Sequence, residues 1–356
     1  MKYRQWLMKG LAGIALVTAI TWMVIAFRGQ QEVIPDKAAQ AASQLECKLP
    51  EVDQTARHPG MVWIPAGQFD MGDSVYAEEK PVLNVKVKGF WMDRTEVTNQ
   101  AFAEFVKATG YVTVAERDVD SKLHANLPED LRKPGAVVFK IPPKLTQSDD
   151  PRQWWRYTPG ANWKHPAGPH SSIEKYGQFP VVHMTYEDAK AYAQWKGHTL
   201  PTEAQWEWAA RAGAKEMPGQ HDAPTQPSGA NTWQGIFPMA NSSEDGFAGL
   251  APVGCYAPNA WGLFDMIGNV WELTADVFVA DRPEVTKSGF KGEGIDPDTA
   301  QKPPIFKTAQ SNSRVIKGGS FLCAPNYCMR YRAGSRQPQE EDLAVSHLGF
   351  RTILQP

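Results

Sequence analysis

From Met61 onward, the apolar residues fall in short alternating runs and in three helical stripes. MVWI and QFDM flank Pro65-Ala66-Gly67 and predict two strands, residues 61–64 and 68–71, joined by a turn. VLNVKVKGFWMDRTEV alternates apolar and polar positions and predicts a further strand pair. The first helix starts at Thr98 as N-cap, with Val97 and Phe102 spaced as a hydrophobic staple. Phe102, Phe105 and Val106 share one face, and Gly110 ends it. A second helix follows Thr185, with Asp188 three residues on, carries Ala189, Tyr192 and Ala193 on one face, and stops at Gly197. The third follows Thr202, with Gln205 completing a capping box. It buries some of Trp206, Ala209 and Ala210, and Gly213 closes it. Residues 114–180 and 276–312 show little periodicity and read as long connections, a length that in compact domains marks functional or mobile segments.

The N-terminus follows a different pattern. Lys2, Arg4 and Lys9 precede an uncharged apolar run, residues 10–27, closed by Arg28. That run is long enough for a short membrane span, and the basic flank keeps the N-terminus cytoplasmic. A cleaved signal peptide is the rival reading, but the small-x-small Ala39-Gln40-Ala41 lies well beyond the apolar run. The expectation is an uncleaved signal anchor. The chain then divides into residues 1–29 (anchor or signal segment), 30–57 (polar tether) and 58–356 (globular domain). On either reading the domain is extracytoplasmic, periplasmic in a Gram-negative cell, where disulfides persist.

Composition refines the fold class. The 356 residues include 29 Gly, 28 Pro and 13 Trp, so the domain should be turn-rich with its core pinned by large aromatics. The formal net charge of −2 gives no bulk electrostatic case for nucleic acid.

The candidate chemistry lies in GGSFLCAPNYCMRYR, residues 318–332, which holds two of the four cysteines, Cys323 and Cys328. Spacing alone leaves a disulfide, a metal site and a redox pair open, with the disulfide foremost. A structural zinc site lacks a second close Cys/His pair to complete four ligands. Cys47 and Cys255 remain, and in an oxidising compartment they can pair and staple the tether to the domain.

Several segments together carry a family resemblance. MVWIPAGQFDMG, DRTEVTNQAFAEFVKATGY, WWRYTPGANWKHPAGPHSSI, FPVVHMTYEDAKAYAQWKGHTLPTEAQWEWAARAG, NAWGLFDMIGNVWELTADV and RVIKGGSFLCAPNYCMRYRAGSR resemble the formylglycine-generating enzymes, in their order, over nearly all of residues 61–352. The PTEAQWEWAARAG and GN-x-WEL segments mark a wide superfamily. The GANW-x-HP-x-GP segment and the paired cysteines are more specific.

The resemblance implies an α+β, irregular, loop-rich single domain related to C-type lectins. It implies oxidation of a cysteine, in a Cys-x-Pro-x-Arg-like motif of an unfolded or nascent sulfatase, to Cα-formylglycine. Molecular oxygen, a thiol reductant and Cu(I) held by Cys323 and Cys328 would serve the reaction. Soft thiolates suit Cu(I). Ser320, Tyr327 and Trp271 match the family's pocket residues. Arg330, Arg332 and Arg351 read as structural ion-pair formers.

Two positions depart from the family's better-known members. Ala324 stands where they carry His, and His347 where they carry Asn. His347 reads as a surface histidine in preference to a pocket base. Their structural-disulfide positions are occupied here by Ala193, Ala333 and Thr352. Two structural Ca²⁺ sites are also implied, one at Asn231, Thr232, Asp245 and Phe247, the other at Asp265, Gly268, Val270 and Glu272. Analogy further implies a monomer. The alternatives are a non-catalytic binding or scaffold member of the superfamily and an iron-dependent sulfoxide synthase. The latter needs a histidine cluster that the eight scattered histidines do not offer.

Overall fold

Local capping chemistry forms the three helices where the sequence marks them. The computed structural model describes residues 47, 51–118, 128, 131–144, 150–214, 227–280 and 312–356. Helix α1, Asn99–Thr109, begins where the Thr98 side chain accepts from Ala101 N and ends at Gly110 with φ +68°. Helix α2, Tyr186–Trp195, carries the Thr185/Asp188 capping box. Helix α3, Glu203–Arg211, carries the Thr202/Gln205 box and ends at Ala212 with φ +47°, one residue before the expected Gly213. It is buried on nearly every side, more fully than a one-sided stripe suggests. Its charges are therefore paired: Glu203 with Arg336 at 2.9 Å, and Glu207 with Lys317 at 3.0 Å and Arg211 at 2.8 Å.

The strands are short. They are β1 (Met61–Ile64), β2 (Gly67–Met71), β3 (Leu83–Val87), β4 (Phe90–Asp93), β5 (Gly135–Phe139), β6 (Trp155–Pro159) and β7 (Gly235–Ile236). They continue with β8 (Ala240–Asn241), β9 (Trp271–Val277), β10 (Ser313–Lys317), β11 (Gln337–Glu340), β12 (Leu348–Gly349) and β13 (Ile353–Leu354). The first four form where alternation predicts them but pair crosswise, β1 with β4 and β2 with β3, both antiparallel. The expectation that residues 82–97 pair with themselves is thus corrected. Alternation fixes which face of a strand is buried, not which strand it meets. Ile64, Phe69, Val85, Phe90 and Met92 all turn onto one core with Trp206 and Trp208 of α3.

The stretch 114–180, expected to lack regular structure, contains the antiparallel pair β5–β6. β5 also docks on residues 344–346: Val137 N donates to Ala344 O at 2.9 Å, and Ser346 N returns to Val137 O at 3.0 Å.

The main sheet runs β11-β10-β9-β12, with β12 parallel to β9. The largest core cluster gathers Phe102, Phe105, Tyr192, Trp271, Leu273 and Phe350, and both Cys323 and Cys328 belong to it. Beside it, Arg351 is fully buried and reaches both oxygens of Glu272 at 2.7 Å, while Trp206 Nε1 donates to Glu272 Oε2 at 2.8 Å. Arg332 likewise meets Asp73 and Glu79.

Cys47 and Cys255, 208 residues apart, form a disulfide, as expected of the two cysteines outside the C-terminal pair. Cys47–Asp245 and Gly249–Pro356 make one compact unit; Gly246–Ala248 belongs to a second unit with Met1–Glu46. Among the described residues, no helix is long and apolar enough to cross a membrane. The apolar run 10–27 and most of the tether lie outside the described residues.

Two predictions follow from the buried charges. Glu272→Ala leaves Arg351 buried and unpaired and should cost about 3–5 kcal/mol in urea unfolding. The second concerns Asp276, whose carboxylate accepts from Glu203 N at 2.5 Å, at the start of α3. Burial, reinforced by the Glu203 charge, raises its pKa to about 7. Folded Asp276 therefore holds its proton more tightly than the unfolded chain does. Its stabilisation is fully present below ~3.9 and is lost as pH rises through about 7. Asp276→Asn keeps the acceptor without the charge. Its urea midpoint should gain on the wild type as pH rises from 4 to 8, and parallel curves would refute the assignment.

Candidate active site

The thiol loop joins β10 to β11, and its opening glycines are dictated by crowding. Gly319 has φ +73°, and a Cβ there would meet the Tyr331 backbone at 2.9 Å. Past them the chain turns tightly. Cys323 N donates to Ser320 O at 2.9 Å and Cys328 N to Ala324 O at 2.8 Å. That helical-type turn carries both side chains to one side, with Cys323 Sγ and Cys328 Sγ 3.0 Å apart. Both are buried and neither is in a disulfide, which corrects the bland reading of the spacing.

A buried sulfur pair this close shares a proton. Burial pushes the Cys323 thiol well up, with the neighbouring Cys328 adding to the rise and a backbone hydrogen bond from Ser320 opposing it. The hydrogen bond from Cys323 pulls Cys328 down, helped by the backbone and charge of Arg330. The two sulfurs therefore titrate as one coupled pair, Cys323 pushed up and Cys328 pulled down. Arg330 pairs with Glu78 and lies over the Tyr76 ring, 4.1 Å from its centroid. It is an ion-pair former, as the sequence suggests, and its charge also reaches Cys328.

The sulfurs open onto a cavity of about 330 Å³. Ser320, Trp271, Tyr327 and His347 line it with them, as do Val137 and Trp155 of the β5–β6 pair. Ser320 is fully buried, and its hydroxyl accepts from Leu322 N at 3.3 Å. Trp271 is buried at the head of β9, and its backbone N–H donates to His347 O at 2.9 Å. Tyr327 is half exposed, its ring stacked on Phe237 at 4.2 Å. The structure thus brings all five expected catalytic positions into one cavity.

His347 corrects the sequence reading. It is buried in the cavity wall, its ring 4.8 Å from Trp155, rather than on the surface. Burial pushes its pKa down to about 3, and the nearby His183 is pushed down to about 4. Ala324 is also fully buried, among Trp154, Trp233, Phe237 and Leu322. That aromatic shell occupies the room a larger side chain would need.

Of the residues expected to hold calcium, Gly268 N donates to Gly318 O at 2.9 Å, where the thiol loop begins. Thr232 N donates to Asp245 Oδ2 at 3.0 Å, and Asn231 bridges to Gly268. A Cβ at Gly268 would meet Asn231 O at 2.1 Å, so only glycine fits. Asp265, with φ +56°, accepts from Gly254 N at 2.6 Å, while its Oδ1 is buried without a partner. Burial raises its pKa to about 6. Val270 is fully buried, and the Glu272 carboxylate is occupied by Arg351 and Trp206. Phe247 belongs to the second unit.

Sequence reasoning missed Asn269, buried with φ +54°. Asn269 N donates to Asn231 O at 2.8 Å, Phe321 N donates to Asn269 O at 2.9 Å, and its amide group binds Glu96, Asn231 and Ala251. Gly-Asn is a turn signal, which could have flagged a left-handed backbone here.

The sulfatase-modifying factor enzyme 1-like domain family matches residues 46–356. The chain is 44% identical over 303 residues to a formylglycine-generating enzyme of Mycobacterium tuberculosis, covering 83% of this chain and 98% of that one. It is 36% identical over 297 residues to the inactive Cα-formylglycine-generating enzyme 2 of Bos taurus, covering 82% and 86%. PvdO from Pseudomonas aeruginosa, a solved structure, superposes with a TM-score of 0.55 at 23% identity, covering 85% of this chain and all of that one, and shows the fold alone.

The coupling is measurable by thiolate absorbance. In the wild type Cys328 should titrate below its ordinary value. Cys323→Ala removes the largest cause of the lowering and should move the remaining Cys328 upward. An unchanged midpoint would refute the coupling.

Proposed function

The chain belongs to the sulfatase-modifying factor enzyme 1-like family, and we propose that it is an active formylglycine-generating enzyme. It oxidises a cysteine in a Cys-x-Pro-x-Arg-like motif of an unfolded sulfatase to Cα-formylglycine. The observation that carries this reading is the pair of free, buried thiols, 3.0 Å apart, on an open cavity. The overall balance is a client CH₂SH, O₂ and two reductant thiols giving CHO, H₂S, H₂O and a disulfide.

The donor set suits Cu(I). Two soft sulfurs share the cavity, and no cluster of three His, Cys, Asp or Glu that could hold a metal occurs among the described residues. Copper bound by Cys323 and Cys328 would supply a soft site for the client sulfur and the one-electron chemistry that O₂ requires. The protein's own groups do the rest. Any proton held between Cys323 and Cys328 must leave when both sulfurs become ligands. Trp271 and the aromatic shell around Ala324 keep the floor of the cavity dry. Tyr327 stands at the mouth, where a client peptide enters.

Structural Ca²⁺ belongs to the same reading. Asn231, Thr232 and Asp245 carry oxygen ligands of the kind Ca²⁺ takes, with Thr232 N bound to Asp245 Oδ2, and the Oδ1 of Asp265 is buried without a partner, whereas Glu272 is already paired with Arg351. Calcium there would tie loops together beside the thiol turn. An anchored, extracytoplasmic enzyme is supported by the apolar run 10–27 and by the Cys47–Cys255 disulfide.

The test is mass spectrometry of a Cys-x-Pro-x-Arg peptide incubated with Cu(I)-loaded protein, O₂ and a thiol reductant. The product should have lost sulfur and two hydrogens and gained one oxygen, and Cys323→Ser and Cys328→Ser should each abolish it. No conversion by folded, copper-loaded protein would favour the non-catalytic reading, for which an inactive relative at 36% identity is the precedent.

A further inference from the structure

We propose that His347 is a client-binding residue. Its imidazole is the hydrogen-bond partner, within the sulfur cavity, of the client cysteine's thiol or backbone amide. This rests on the client chemistry proposed above and names the residue on this chain that positions it.

Four observations carry it. First, the ring is fixed in place. Trp271 N–H holds the His347 carbonyl at 2.9 Å, Ser346 N is bonded to Val137 of β5, and Trp155 of β6 lies against the imidazole. Second, the ring is unsatisfied. His347 is 8% exposed, and its Nδ1 is buried with no partner in the structure. Two other polar groups lining the cavity are engaged: Ser320 Oγ accepts from Leu322 N, and Gln339 Nε2 donates to Glu340 O and Leu343 O. A buried polar atom without a partner is rare and marks a place where a ligand completes the bonding. Third, the ring is neutral. Burial, with His183 nearby, pushes its pKa down to about 3, so at neutral pH it offers one donor and one acceptor. Fourth, the imidazole lines the same cavity as both sulfurs, where the client cysteine would lie.

An Asn at this position, as in the family's better-known members, would offer the same donor and acceptor. A leucine would offer neither. This predicts how two variants, His347→Leu and His347→Asn, should separate.

The experiment measures anisotropy of a dye-labelled Cys-x-Pro-x-Arg peptide, conversion kinetics of the unlabelled peptide, Cu(I) affinity by competition with a chromophoric chelator, and the melting temperature. His347→Leu should weaken peptide binding and raise KM about tenfold, the size of one lost buried hydrogen bond. Its Cu(I) affinity should stay within about twofold of wild type. His347→Asn should recover most of the binding. Equal peptide binding by wild type and a folded His347→Leu would overturn the proposal. So would a loss of Cu(I) affinity in parallel, which would make the imidazole a metal ligand. If the wild type binds the peptide but never converts it, the functional reading fails while the binding comparison still decides the role of His347.

Discussion

The buried side chain and left-handed backbone of Asn269 are the constraint on which the site depends. This one residue bonds the loop at Asn231, the strand-connecting segment at Ala251, the carboxyl of Glu96 and the thiol loop at Phe321. A left-handed conformation costs an L-residue energy, which asparagine bears better than most. Here four hydrogen-bonded attachments offset that cost. Gly268 must precede it because the Asn231 carbonyl leaves no space for a Cβ. The thiol loop therefore leaves β10 in one direction only, and the two sulfurs are delivered into the core instead of to the surface.

The same economy runs through the rest of the domain. With three short helices and small sheets among the described residues, few backbone groups are satisfied by regular structure, so charged side chains bind loop carbonyls and one another. Arg351 joins Glu272 to the carbonyls of Arg94 and Phe264; Arg332 joins Asp73 and Glu79 to Met329. Such buried pairs are weak evidence of net stability but strong determinants of which arrangement is adopted, since every alternative strands a charge. A scaffold of this kind positions loop residues as firmly as strands would. That lets a sulfur-bearing cavity form between the thiol loop and residues of β5, β6, β9 and β11.

The cavity has two sides with different origins. The thiol loop and the head of β9 bring the sulfurs, Ser320, Trp271 and Tyr327. The β5–β6 pair, docked on residues 344–346, brings Val137 and Trp155 and fixes the imidazole of His347 against them. Both sulfurs lie in a segment that carries the family resemblance. His347 and Ala324 are the two positions where the sequence departs from it, and Ala324 packs with Trp154, Trp233, Phe237 and Leu322.

What the sequence determined by itself was whatever is encoded within a few residues. The Thr98, Thr185 and Thr202 caps, the Gly110 stop, the turn-rich character and the proximity of Cys323 to Cys328 are all local, and each stood as read. Contiguous motifs carry the five positions expected to be catalytic, and all five line one cavity. The tertiary structure decided the rest. The crosswise pairing of β1–β4, the β5–β6 pair, the partner of Glu272 and the burial of His347 all depend on residues tens to hundreds of positions away. Alternation and spacing say which face of a segment is apolar. Only the closed core decides what that face meets, because a buried polar atom takes its partner from whatever part of the chain packing brings within hydrogen-bond reach.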